Sequence, residues 1–354
     1  MSLEETFLQL SSVDECDRIY AAEDIGLAGR REGVDPLIQR VLQEPSQAVR
    51  EAIFGALAQI PGDTVIERAA QLLSSDDPGI RNQAVGLLQS RGSAAVPELR
   101  RLLAAADQDL RKFGVDVLSR IETPEIEDLL EIALADNDVN VVIAALENVS
   151  QCHSPALRQR VLRHALSDAH PMLVVAAIEA LGRIGDTECY RQIRQKFQTL
   201  EATPALYLHS VLKLLGTNGE TGDLLELRNY LTICEPNLRA AVLDAFRNLL
   251  VRVGAASIPD VWWQDLLARL PETTSLAERY QTLVLLGHFG HCEQVFEMLI
   301  AYMQSPDKVD RLGAIEALSK NLLVNARCTM RSRLQLESDP EVRQALEDAL
   351  RVKQ

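Results

Sequence analysis

The hydrophobic and polar positions of this chain repeat with a period near 32 residues. Each period holds two short amphipathic segments with apolar residues at helical spacing, separated by a polar break. Residues 64–93 show the logic. Val65, Ile66, Ala69, Leu72 and Leu73 form one apolar stripe, and Ile80, Ala84, Val85, Leu87 and Leu88 form the next. Between them, Asp76, Asp77, Pro78 and Gly79 end the first helix and start the second. Asp77 is placed to cap the second helix and Pro78 fills its first position, where the missing N–H costs nothing. Gly92 supplies the left-handed residue that closes the unit.

Aligning the periods gives a cap position followed four residues later by a key position. The pairs are Asp14/Arg18, Ser46/Arg50, Asp77/Arg81, Asp107/Arg111, Asp138/Val142 and His170/Val174, then Thr203/Tyr207, Glu235/Arg239, Ser275/Arg279, Asp307/Arg311 and Asp339/Arg343. Proline follows the cap again at Pro171, Pro204, Pro236 and Pro340, and Gly62, Gly185, Gly216 and Gly290 read as helix terminators. Successive caps lie 30–33 residues apart except for a 40-residue step from Glu235 to Ser275. That step predicts a lengthened loop near Val253–Trp263, containing Gly254, Pro259 and the pair Trp262–Trp263. Neither helix of a unit can bury its stripe alone, so the units must stack. The expected fold is all-α: a right-handed superhelix of about eleven helix pairs running through residues 1–354 as one continuous array. A size limit on a single core does not apply, because each unit is buried against its neighbours only.

This pattern resembles the HEAT repeats, and the resemblance covers nearly the whole chain. It rests on Pro and Asp at the inter-helix turn, Arg at the key position, and runs such as "LVVAAIEALGRIGD" (173–186) and "DRLGAIEALSK" (310–320). The resemblance implies that the second helices line a concave face and that Asp and Arg form a ladder between neighbouring units. "DRIYAAEDIG" (17–26) and "EPSQAVREA" (44–52) are similar to units of the E/F-type phycobilin lyases, which are also built of HEAT-like repeats. That second resemblance implies a chromophore-attachment or maturation role, with Tyr20 and Trp262–Trp263 lining a groove.

Composition narrows the function. Lys and Arg number 36 against 51 Asp and Glu, a formal net charge of −15. Nucleic-acid binding needs a basic stripe to displace counterions, so no nucleic-acid partner is expected. The same acidity opposes docking on an anionic membrane. No apolar stretch reaches the ~18 residues of a membrane span, and residues 1–10 carry no signal-peptide pattern. The six cysteines show no CxxC spacing. These features together predict reduced thiols and a cytoplasmic setting.

Candidate chemistry is sparse. "GHFGHCE" gathers His288, His291, Cys292 and Glu293, but no second cluster completes a closed metal site, so no metal or other cofactor is expected. Deoxyhypusine hydroxylase, a HEAT-like metalloenzyme, takes its ligands from His-Glu pairs, and none of the six histidines here precedes Glu. Neither GxSxG nor a phosphate-binding loop is present, and an all-α chain lacks the strands that carry such motifs. No catalytic residue is expected.

Two surface patterns remain. Five residues beyond each key position stand Glu23, Gly55, Gly86, Asp116, Glu147, Glu179, Leu212, Asp244, Val284, Glu316 and Asp348. Seven of the eleven are carboxylates, and Asp116, Glu147 and Glu179 are consecutive. At 100° per residue this position turns past the apolar stripe toward solvent, so the row is suited to a basic segment of a protein partner. In addition, Val142, Val174 and Tyr207 interrupt the run of key arginines, with Ile143, Val175 and Leu208 beside them. These form a second candidate, an apolar anchor site centred on Val175 and Leu208. The expected function is a non-catalytic protein-binding scaffold or adaptor.

Overall fold

In the computed structural model, residues 3–152, 154–167, 170–254, 259, 262–270, 273, 275–319 and 324–351 are described. Among them the secondary structure is helical throughout, with 22 α-helices that pair in chain order. The chain divides into two compact units, residues 1–180 and 181–354. In the first unit, Asp63–Leu72 and Pro78–Ser90 are one pair, followed by Val96–Leu103 with Gln108–Leu118 and by Ile126–Ala133 with Val139–Glu147. In the second, Asp223–Ile233 pairs with Arg239–Val253, and Trp262–Arg269 with Leu276–Leu286. Second helices pack on the second helix of the next pair, as Glu15–Ala28 does on Gln47–Gln59 and Leu276–Leu286 on Lys308–Ser319.

The caps largely fall where the periodicity puts them. The side chains of Asp14, Ser46, Asp77, Asp107, Asp138 and Ser275 accept N–H groups of the first turn. Asp307 and Asp339 do the same. Each satisfies donors that no intrahelical carbonyl can reach. Thr203 and Glu235 do not cap. The Thr203 hydroxyl turns back to donate to the Thr199 carbonyl at 2.7 Å, and Pro204 precedes a helix that begins at Ala205. After Glu235, a turn through Pro236 delays the helix to Arg239.

Glycine roles also separate. Gly92 has φ of 55° at the start of a 3-10 turn, the left-handed backbone expected of it. Gly216 does not terminate a helix. It lies within Ala205–Asn218, and a Cβ there would stand 3.1 Å from Ala245 Cα. Gly26 faces Ala56 and Gly287 faces Ala317 in the same way, both with 2.7 Å to the partner Cα. Second helices therefore touch backbone to backbone through Gly–Ala pairs, which a side chain on either glycine would force apart.

The arginines form the ladder between neighbouring units that the resemblance implies, through Asp on some rungs and Glu on others. Arg18 donates from Nε and Nη2 to Glu44 at 2.9 and 3.0 Å, and from Nη1 to the carbonyls of Ser12 and Val13, each at 3.0 Å. Arg111 repeats this on Asp136 and on the carbonyls of Ala105 and Ala106. Arg311 repeats it on Glu337 and on the carbonyls of Ser305 and Pro306. The carboxylate sits two residues before the next cap and also accepts that cap residue's N–H, as Ser46 N donates to Glu44 at 3.0 Å and Asp138 N to Asp136 at 2.8 Å. Each guanidinium thus ties its own inter-helix turn to the next one. Where that position is serine, the arginine takes the cap aspartate instead, as in Arg50–Asp77 and Arg279–Asp307. Where it is Ala105, Arg81 lies 5.8 Å over the Phe113 ring.

The Glu44 side chain is fully buried and is shared by Arg18 and Arg40. Burial alone would push its carboxyl up, but hydrogen bonds from Arg18, Ser46 N–H and Arg40 outweigh it and hold Glu44 below its ordinary 4.5. Asp136 and Glu337 are lowered by the same balance. Breaking a buried pair from one side strands the other charge. Glu44→Ala should cost about 3–5 kcal/mol in urea denaturation. Because these carboxyls are depressed in the folded state, their stabilisation is complete above pH 4.5 and is lost as pH falls below it. Chemical denaturation across that acid range should show the loss in the parent protein and a weaker pH dependence in Glu44→Gln.

Candidate functional site

The acidic positions start from helix geometry. Asp116, Glu147 and Glu179, all residues of the first unit, occupy equivalent places on three successive second helices, Gln108–Leu118, Val139–Glu147 and Pro171–Ile184. Glu147 is exposed, while Asp116 and Glu179 are half-buried. Asp116 accepts from Lys112 Nζ at 2.9 Å, one turn earlier on its own helix. The residues one turn before Glu147 and Glu179 are apolar: Ile143 and Val175, both half-buried. In that stretch of the row, carboxylates therefore border aliphatic side chains.

Later carboxylates of the row also have local partners. Asp244 accepts from Arg247 Nη2 at 2.6 Å and from Asn248 Nδ2 at 3.1 Å. Arg247 also reaches Glu316, 3.5 Å away, and Glu316 accepts the Tyr280 hydroxyl. Burial, aided by Glu316, pushes Tyr280 up to about 12. Asp348 accepts from Gln344 at 2.9 Å. Seven carboxylates at one register do not make one electrostatic surface, because their local partners differ.

The apolar candidates separate more sharply. Val142 and Val174 are 3% and 1% exposed, so the interrupted arginine positions are filled by core packing. Leu208 is 4% exposed and lies in the core of the second unit; it is not displayed to a partner as the sequence suggested. Register is not the cause, since Leu208 and Val175 both sit one residue past a key position; the packing of neighbouring helices sets which of them is buried. Val175 keeps a half-exposed face. Tyr207 packs on Phe197, with ring centroids 5.3 Å apart.

The remaining sequence candidates are also placed. In "GHFGHCE", a 3-10 turn spans Gly287–Phe289, and Cys292 precedes the helix Glu293–Tyr302. No group of three or more His, Cys, Asp and Glu able to hold a metal is found among the described residues. Tyr20 is 64% exposed on Glu15–Ala28. The 40-residue step is only partly loop. Arg239–Val253 runs to its expected end at Gly254, with φ of 91°, and Trp262–Trp263 open the helix Trp262–Arg269. Residues 255–258, 260, 261, 271, 272 and 274 of this step lie outside the described residues. No described helix is long and apolar enough to cross a membrane.

The sequence reading missed the clamp carboxylates Glu44, Asp136 and Glu337. A register signal existed, since each lies two residues ahead of a cap, but Ser12, Ser75, Ala105 and Ser305 at the same position hide it.

Comparison with known proteins agrees with this architecture. A family model for HEAT repeats matches residues 4–89 and 66–150. Importin beta, solved by crystallography, superposes with a TM-score of 0.59 at 14% identity over 98% of this chain. The chain spans 57% of the length of that importin beta chain. These likenesses show the fold, all-α and built of stacked helix pairs, with HEAT repeats matched over residues 4–150. A further relative, an uncharacterized phycocyanin operon protein Z of Pseudanabaena tenuis, is 28% identical over 170 residues, which is 46% of this chain and 83% of the relative.

The burial pattern sets apart two substitutions of similar appearance. Leu208→Asp places an unpaired charge in the core and should cost about 3 kcal/mol or more. Glu147→Lys, at an exposed position, should stay within about 0.5 kcal/mol of the parent. Thermal denaturation of both variants checks the contrast.

Proposed function

We propose that this protein is a non-catalytic scaffold that holds a protein partner bearing a basic segment. The reading is carried by one observation: Asp116, Glu147 and Glu179 recur at one register on three successive second helices, with Ile143 and Val175 one turn before the last two. Basic side chains of the partner meet the carboxylates, and an apolar residue of the partner lies on Val175. Complementary charge speeds encounter and sets register, while the apolar contact supplies most of the affinity. The fold supports the reading, because a repeat surface carries recognition residues at regular spacing on rigid helices. The partner is a protein, with neither nucleic acid nor membrane involved, and the compartment is the cytoplasm.

The test uses a fluorescently labelled lysine-rich peptide titrated with the full chain at low and high salt. The triple variant Asp116→Lys, Glu147→Lys, Glu179→Lys should bind at least about tenfold more weakly, a loss of ~1.4 kcal/mol. The difference should shrink at high salt. Equal binding by parent and variant at low salt excludes this surface.

A second reading follows from the phycocyanin operon relative: a chromophore-attachment or maturation factor of the phycobilin lyase kind, acting on a phycocyanin subunit. Co-expression with such a subunit and a bilin source separates the two. A coloured subunit formed only when this protein is present favours maturation, and a colourless one favours the scaffold.

A further inference from the structure

The second unit contains a cavity of about 580 Å³, bounded by Asp223–Ile233, Arg239–Val253 and Trp262–Arg269, with Phe289 and Glu278 completing it. Its size lies within the usual range for small-molecule sites. Part of its lining is apolar: Phe246, Leu266 and Phe289 are buried, and the Trp262 ring lies with its centroid 6.0 Å from that of Phe246. The lining also holds three arginines and two carboxylates.

These charges are not equally matched. Arg228 donates from Nε to Asp265 at 2.9 Å, and its guanidinium lies 5.2 Å over the Trp262 ring. That pair is complete. Arg269 Nη1 donates to the Leu231 carbonyl at 3.3 Å. Arg239 Nη1 stands 3.9 Å from Glu278, too far for a hydrogen bond, and its Nε is buried with no acceptor among the described residues. With Arg228 and Asp265 set aside, two guanidiniums face the single carboxylate of Glu278, leaving one positive charge. Both act on one neighbour: burial pushes the Cys234 thiol up, and Arg239 and Arg269 both oppose that shift. The Arg239 side chain as a whole is 32% exposed, so its outer N–H groups remain open to a ligand's oxygens. This small cationic pocket sits in a chain whose net charge is −15.

We propose that the cavity binds a small organic anion, its carboxylate or sulfonate held by Arg239 and Arg269 and its flat apolar body laid against Trp262 and Phe246. The guanidinium fork suits a planar or multi-oxygen anion, and the aromatic wall selects an unsaturated body over a sugar or a free phosphate. The site is separate from the acidic positions of the first unit, so either reading can fail without the other.

The test uses the full chain and two probes of nearly the same body, anilinonaphthalene sulfonate and its uncharged counterpart phenylnaphthylamine. Trp262 and Trp263 are the only tryptophans in the chain, so energy transfer from tryptophan to the probe reports binding next to this cavity. The sulfonate should bind saturably, one per chain, with energy transfer, and at least about tenfold tighter than the neutral probe. Arg239→Met and Arg269→Met should each weaken the sulfonate about tenfold and leave the neutral probe unchanged. Arg68→Met, an exposed position in the first unit, should change neither. Equal affinity for the two probes on the parent protein overturns the proposal, and so does saturation without energy transfer. The comparison of probes on the parent does not depend on how any variant folds.

Discussion

The clamp between a key arginine and the carboxylate ahead of the next cap is the interaction on which the rest of this structure depends. A helix pair with two apolar stripes can slide or rotate against its neighbour at little hydrophobic cost, since burial is non-directional. The guanidinium fork removes that freedom. It fixes its own turn through two carbonyls and the next turn through a carboxylate, which in turn receives the N–H of the cap residue. Several hydrogen bonds converge on one buried centre, so the charge is not left uncompensated. The cost of desolvating Glu44 or Glu337 is offset because each accepts from two arginines and from backbone N–H groups.

Close approach complements the clamp. The Gly26–Ala56, Gly216–Ala245 and Gly287–Ala317 contacts let second helices meet at backbone distance. Leucine and valine then fill the remaining space on either side, which suits a chain with only 4% aromatic residues. Where the arginine is replaced, at Val142 and Val174, the buried aliphatic side chain takes its volume and the polar tie is given up. The repeat thus alternates between two solutions at one position: a directional polar tie, or ordinary close packing.

The two proposed surfaces draw on opposite chemistry. On the first unit, exposed or half-exposed carboxylates beside Ile143 and Val175 offer negative charge next to an apolar contact. In the second, arginines and aromatic rings enclose a cavity of small-molecule size. The longest step of the repeat, from Glu235 to Ser275, supplies Arg239, Phe246, Trp262 and Asp265 alike.

The sequence by itself determined the helix pairs, their number and most of their boundaries. Caps such as Asp77 and Asp138 and prolines such as Pro78 act through local backbone donors, and a period-3.6 stripe needs no long-range information to be read. It also placed the acidic row on a single register, because register follows from residue spacing alone. The tertiary structure decided what each register position does. Leu208 and Val175 look alike along the chain, yet one is core and the other half-exposed, since exposure depends on the packing of neighbouring helices. Glu44 and Glu147 are both glutamates in helical repeats, yet one is fully buried under two arginines and the other faces solvent. The cavity was hidden for the same reason: Arg228, Phe246, Trp262 and Arg269 come from three helices, and only their packing brings the charge and the rings together.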